Sequence, residues 1–370
     1  MGIKEDFLED LKELVNIEAG TSNPEGVTQA ALAMKKRFGE LGFDASLVDL
    51  GDKVGRGLFA TNRPGAEKYD VLFNAHLDTV FPKGEAARRL FSQDGKFCYG
   101  PGCVDCKGGV LCIYYALKLA DKKDLDRLAV AVLLNPDEEI GSPYSKKWLT
   151  SYDARCALIC EPARPNGEFV SARKGTGKFR AVFHGKSAHA GICPEKGRNA
   201  AVAAMRFALA AYELNDFKRG TTVNPGVVRL GRIPNSVPDE GEVLLDLRFW
   251  NDGDGRELDE KITGLSKRVW VEGVSCELEK LAWVSAMPLS DKAKALDGLI
   301  SRASEMAGFK AEFISSGGAS DGNKIAGRGI PVVDGCGPAG DFLHTEREYL
   351  EIATIEPHVK MLVNFLSLLK

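Results

Sequence analysis

Apolar positions recur along this chain with two periods, and the alternation between them lays out its elements. Over residues 4–18 and 26–41 they return every three or four positions, the spacing of one helix face. Short strand-like runs follow near 45–50, 56–61 and 70–75, the last of them ending in "YDVLFNA". "GGVLCIYYALKLA" predicts a helix over 108–120, "LAVAVLLN" a strand over 128–134, residues 143–151 a helix and "CALIC" a strand over 156–160. Continuous apolar strands alternating with helices imply an α/β layer with a mainly parallel sheet. In such sheets functional groups gather at the carboxyl ends of the strands. "NAHLDTV", "NPDEE" and "CEPA" all fall there.

Between about 174 and 287 the rhythm changes. "GKFRAVFHG" reads as a strand and "RNAAVAAMRFALAAYELN" as a long helix. "TTVNPGVVRLG" and "GEVLLDLRFW" are strands joined by the turn-rich "RIPNSVPDE", and a helix over 255–270 and the strand "SCELEKLAW" complete the set. The order βαββαβ describes helices on one face of an antiparallel sheet. The α/β pattern then resumes through "GIPVVDGCG" to the closing "TIEPHVKMLVNFLSLLK". The expectation is a discontinuous catalytic domain, 1–173 and 288–370, with a second domain inserted at 174–287.

At 370 residues, 44% hydrophobic and 27% charged, the composition is that of a globular protein. A formal net charge of −3 gives no reason to expect nucleic acid or an anionic membrane as partner. No run approaches the roughly 20 apolar residues of a membrane span, and the amphipathic start resembles neither signal peptide nor anchor. A cytoplasmic protein is expected. Its nine cysteines follow no framework spacing, as befits reduced thiols. Cys103 and Cys106 form a C-x-x-C without the second pair a zinc ribbon needs, leaving a redox or metal role as the minor alternative.

Asp137, Glu138 and Glu139 stand side by side after a buried strand, where they repel one another unless a cation faces them. His76 ends another strand, and Asp78 two residues on suits an outer carboxylate that orients a metal-bound imidazole. Asp105, in "YGPGCVDCKGG", is by default a helix cap, although its glycine-dense loop implies close packing. Glu161 ends a third strand, and His344 sits in the glycine-rich "GPAGDFLHTEREYL". Each has a structural reading alone. Together, two histidines and several carboxylates at strand ends suit a pair of zinc ions, which would activate water and polarise a carbonyl.

In order, "HLDTV", "GPGCVDCKGG", "NPDEEIGS", "CEP", "GKSAHAG" and "HTEREYL" resemble the landmarks of the M20 metallopeptidases over nearly the whole chain. Within that family the chain looks most like the carboxypeptidase G-type glutamate carboxypeptidases, relatives of acetylornithine deacetylase and succinyl-diaminopimelate desuccinylase. The resemblance implies a dizinc catalytic domain interrupted by a ferredoxin-like α+β lid. His76 and Glu161 would hold one zinc, Glu139 and His344 the other, and Asp105 would bridge them, with Co2+ or Mn2+ as possible substitutes. Asp78 would orient His76, and Glu138 would take a proton from the attacking water and pass it to the leaving amine. From the lid, His189 would stabilise the oxyanion, while Asn235 and Arg248 would contact the substrate's terminal carboxylate or the transition state. Gly318 and Ser320, in "SSGGASDGN", would approach the substrate backbone. His184 and His358 match no ligand and read as structural. The family also implies a homodimer joined through the lids.

Two departures stand out. Cys106 occupies a position where the family usually has Met. The glutamate-specific branch carries a further arginine near the end of the lid, and "LAWVSAMPL" has none, which argues against a strict preference for C-terminal glutamate. The activity implied is release of a C-terminal amino acid from a small peptide or N-acyl amino acid. The alternatives are an N-acyl-amino-acid deacylase and, more remotely, a catalytically silent peptide- or metal-binding relative.

Overall fold

The computed structural model describes residues 2–370. The chain forms two compact units: residues 2–172, Leu289–Ser315 and Ser320–Lys370 make the first, and Arg173–Pro288 with Ser316–Ala319 the second. The excursion of Ser316–Ala319 into the second unit has no counterpart in the apolar periodicity.

The first unit is built on an eight-stranded sheet. Across it run Asp44–Val48, Gly57–Thr61, Val130–Asn135, Val71–His76, Ala157–Ile159, Val332–Asp334, Phe169–Arg173 and Phe313–Ser316. The four strands from Val130–Asn135 to Val332–Asp334 are parallel, and antiparallel strands flank them on both sides. Because side chains alternate along a strand, each central strand serves two layers. Val71, Phe73 and Ala75, with Val130, Val132, Leu134 and Leu158, join an apolar core that includes Phe7, Leu11, Phe38, Val110 and Phe365.

The alternate positions carry something else. Asn74 Nδ2 donates to Asn135 Oδ1 at 3.0 Å, Asn135 Nδ2 to Asp321 Oδ2 at 2.5 Å, and Lys324 Nζ to Asp321 Oδ1 at 2.6 Å. All four residues are buried, so this network survives only because its members satisfy one another. His76 follows Asn74 by two and shares its side of the strand. The polar layer therefore leads to the carboxyl ends of the parallel strands.

In the second unit the strands lie in the order Thr222–Leu230, Glu240–Phe249, Gly175–His184, Ser275–Val284, all antiparallel. Along Glu240–Phe249 every second residue from Gly241 is buried. Val243, Leu245 and Leu247 meet Ala204 and Phe207 of helix Ala200–Tyr212 and Leu258 and Ile262 of helix Asp252–Ser266. Asn199 and Asn251 cap these helices, accepting the amides of Val202 and Asp254. The other face is charged: Glu242 receives both Arg180 and Arg229. The unit begins and ends on paired backbone, since Arg173 and Met287 exchange N–H···O bonds at 2.9 and 3.0 Å. Among the described residues no helix is long and apolar enough to cross a membrane.

Candidate metal centre

The parallel strands of the first unit deliver their terminal residues to one place. His76 ends Val71–His76. Glu138 and Glu139 form a single helical turn, Glu138–Ile140, beyond Val130–Asn135, and Glu161 lies two residues past Ala157–Ile159. Asp105 comes from Cys103–Gly108, which leads into helix Gly109–Leu119. His344 sits in a loop between short strands, with φ of 62°.

Their donor atoms fall into two groups that share Asp105. His76, Asp105, Cys106 and Glu161 make one, and Asp105, Glu139 and His344 the other, with all atoms of a group within 4.8 Å of one another. His76 Nε2 is 2.9 Å from Asp105 Oδ1 and 3.8 Å from Glu161 Oε2. His344 Nε2 is 3.3 Å from Asp105 Oδ2 and 3.0 Å from Glu139 Oε2. The two oxygens of Asp105 thus face different imidazoles.

Asp78 organises the edge of this arrangement. Its backbone carbonyl lies 3.0 Å from His76 Nδ1 and its Oδ1 3.4 Å away, which fixes the ring with Nε2 toward Asp105. The same carboxylate accepts the amides of Glu138 and Glu139 at 3.1 and 3.3 Å and the Thr21 hydroxyl at 2.7 Å. Asp137 turns away and accepts the amides of Tyr144 and Ser145. The acidic triplet is therefore divided between the cluster and its support.

The charge on these groups is unbalanced. Burial raises Glu139 and lifts Glu161 well above its ordinary value. Burial and the nearby Asp321 carboxylate push Glu138 up to about 8. Burial works against charge on His76, yet the facing carboxylates, Glu161 foremost, raise it. Burial likewise opposes charge on Asp105, but hydrogen bonds from His344 and His76 hold it well below the usual range. Hydrogen bonds to Asp105 and Glu139 raise His344 to about 10. Five carboxyl groups face two imidazoles, an excess of negative charge that divalent cations relieve. Mixed nitrogen and oxygen donors, with one ring oriented from behind, fit such ions.

A model of peptidase family M20/M25/M40 matches residues 72–368. The chain belongs to that family. It is accordingly an M20 family hydrolase of peptide or acyl-amino-acid type, and membership implies divalent metal binding. Carboxypeptidase G2 of Pseudomonas sp. is 28% identical over 364 residues, covering 96% of this chain and 87% of that relative. Succinyl-diaminopimelate desuccinylase of Rickettsia typhi is 25% identical over 389 residues, covering 96% and 98%. Aminopeptidase PepT from Bacillus cereus shares the fold, with a TM-score of 0.80, 22% identity and 98% of both chains covered.

His189, Asn235, Arg248 and Gly318 belong to the second unit. His189 is exposed, and its Nδ1 accepts the Gly191 amide at 3.1 Å. The Ala190 amide donates to the Asn235 carbonyl at 3.0 Å, so these two loops run together. Arg248 Nε and Nη2 donate to Asp246 at 2.7 and 3.1 Å. Gly318 offers its carbonyl to Arg173 Nη1 at 3.2 Å.

Ser320 has a structural role. It is buried, caps helix Asp321–Ala326 by accepting the Gly322 amide, and donates to Asp334 Oδ2 at 2.5 Å. Its S-x-x-N spacing, completed by Asn323 in a capping box, was the sequence signal for that role. Cys103 and Cys106 are free, like the other seven cysteines. Burial holds both thiols well above their ordinary range, and Cys106 Sγ donates to the Cys160 carbonyl at 3.0 Å. His358 is buried between Phe169 and Phe309, and His184 is exposed beside Glu277. Apolar periodicity carries no sign of the Asn74–Asn135–Asp321–Lys324 layer, whose members are polar residues on two strands and a short helix.

Proposed function

We propose that this protein is a dizinc carboxypeptidase that releases the C-terminal amino acid of a small peptide or N-acyl amino acid. The observation that carries the reading is Asp105, whose two oxygens face His76 and His344 separately while Glu161 and Glu139 complete the two groups. Similarity to carboxypeptidase G2 along 96% of the chain supports the carboxypeptidase form. Zinc bound by these residues would supply electrophilic activation of the scissile carbonyl and of water; Co2+ or Mn2+ would suit the same donors.

Glu138 is the base. It is set beside the donor cluster by the Glu138–Ile140 turn, and its raised proton affinity suits it to accept a proton from water and release it to the departing amine. His189 is the oxyanion donor. Because its Nδ1 accepts the Gly191 amide, its proton sits on Nε2 and is available to a developing negative charge. Arg248 and Asn235 bind the substrate carboxylate; Asp246 engages one edge of the guanidinium, and the remaining N–H groups suit a second carboxylate. The absence of an arginine from "LAWVSAMPL" supports acceptance of apolar C-terminal residues.

A homodimer belongs to the same proposal. Met205, Leu209 and Tyr212 expose one stripe of helix Ala200–Tyr212, and Thr222–Leu230, with exposed Val227 and Val228, is an outer strand of its sheet. An apolar stripe beside an unpaired strand edge suits a second copy of the chain. Nine free thiols support a reducing compartment such as the cytoplasm.

Similarity to the desuccinylase favours a second reading, an N-acyl-amino-acid deacylase. The two separate in a substrate panel with zinc supplied. The C-terminal residue is varied against a fixed acyl group, then the reverse, and amino-acid release is followed. Release governed by the C-terminal residue is expected; release governed by the acyl group would replace the carboxypeptidase with the deacylase. A protein that holds two metals and cleaves nothing would leave the silent binder.

A further inference from the structure

Glu348 lies four residues beyond His344, is only 1% exposed, and has no part in the chemistry above. A carboxylate so enclosed is costly unless donors surround it. Here the donors are main-chain amides. Oε1 accepts Val104 N–H and Asp105 N–H at 3.0 and 3.2 Å, and Oε2 accepts Gly102 N–H at 3.0 Å. Lys107, the nearby cation, directs its Nζ to the carbonyls of Val15, Ile17 and Pro101.

What distinguishes this carboxylate is the pair of segments it joins. Asp105 supplies an oxygen to each donor group, and His344 supplies the nitrogen of one. The His344 side chain is 55% exposed, so little packing of its own holds it. Its loop is instead tied at two points just beyond it in sequence. Ahead of Glu348, Arg88 Nη2 reaches Glu346 Oε1 at 2.5 Å and Arg89 Nη1 reaches the Glu346 carbonyl at 3.0 Å. Glu348 then closes the loop onto the residues that carry Asp105.

We propose that Glu348 is a positioning residue for metal binding: its three amide contacts lock residues 102–105 against the His344 loop, so that Asp105 presents one oxygen to each group. The inference rests on the two-metal reading. Replacement by Gln keeps the size but turns an N–H₂ toward amide donors, losing at least one acceptor. Replacement by Asp shortens the reach to all three.

The test is metal binding by the purified full-length chain after chelator stripping, with Zn2+ titrated in competition with a chromophoric chelator. Thermal midpoints of the stripped and loaded forms are measured alongside. Wild type is expected to take up two ions. E348Q and E348D are expected to lose affinity by about 10- to 100-fold, the usual effect of removing an outer support, while the stripped midpoint changes little. His358→Asn serves as a buried comparison, expected to lower the stripped midpoint with zinc affinity unchanged. Wild-type affinities in both Glu348 variants would overturn the proposal and leave the metal reading standing. A fall in zinc affinity in His358→Asn equal to that in E348Q would reduce Glu348 to a general stabilising role and equally overturn it. Absence of zinc uptake by the wild type would remove the two-metal reading itself, and this inference with it.

Discussion

Glu138 and Glu139 are neighbours with different surroundings because one turn presents them to different sides, its two amides held by a single carboxylate, Asp78. Glu138→Gln keeps that turn and removes the base. It is expected to lower kcat by about 10²- to 10⁴-fold while metal content, measured by elemental analysis, stays at the wild-type value. His358 makes a different prediction. Burial lowers its pKa from 6.5 to about 4, so the folded form stays neutral where the unfolded chain takes up a proton. Stability from this residue is complete above pH 6.5 and is lost as the pH falls toward 4, by about 3 kcal/mol over the window. His358→Phe, between the same rings, should show a shallower loss in urea denaturation across pH 4–6.5. His76, Glu139 and Glu161 stood out in the sequence because a histidine or carboxylate just past an apolar strand is rare, whereas Asp105 and His344, in glycine-rich loops, were marked only by the family resemblance. Ser320 reads from its glycine-rich loop as a ligand contact and from its S-x-x-N spacing as a helix cap, and the structure displays the cap. Glu348 and Lys324 had no signal, since a single charge in a polar loop looks solvated until burial is known.

At the level of elements, the parallel strands Val71–His76, Val130–Asn135 and Ala157–Ile159 emerged close to their apolar runs, because burial on both faces makes those runs continuous. Strand direction has no such signature, and Asp44–Val48 and Gly57–Thr61 pair antiparallel. The helix expected over 143–151 contracts to Lys146–Leu149, where the Thr150 and Ser151 hydroxyls turn back onto the carbonyls of Lys146 and Trp148 and end it. The glycines after Asp105 have a specific use. A Cβ on Gly109 would stand 1.8 Å from the Cys160 carbonyl oxygen, so helix Gly109–Leu119 meets the residue before Glu161 with no room for a methyl group. Gly109→Ala must displace one or both segments. A loss of about 1–3 kcal/mol in urea denaturation is expected, together with weaker zinc retention against a chelator.

For the whole molecule, the exposed stripe on Ala200–Tyr212 predicts self-association. Leu209→Glu, at a position 67% exposed, is expected to convert a dimer to a monomer in sedimentation velocity without changing the thermal midpoint of the metal-free chain. A wild-type monomer across micromolar concentrations would end the dimer proposal. The broad division of the chain was readable where the period of apolar residues changes; the regrouping of Ser316–Ala319 was not, because four small residues carry no period. The pairing of Arg173 with Met287 has a consequence of another kind. The long segment of the second unit leaves the chain where it entered, Arg173 and Met287 a strand spacing apart, so a hairpin turn of two residues would span the gap if everything between were absent. The segment from Arg173 to Met287 is thus a cassette in the chain, entering and leaving at one point, and His76, Asp105, Glu139, Glu161 and His344 all lie outside it.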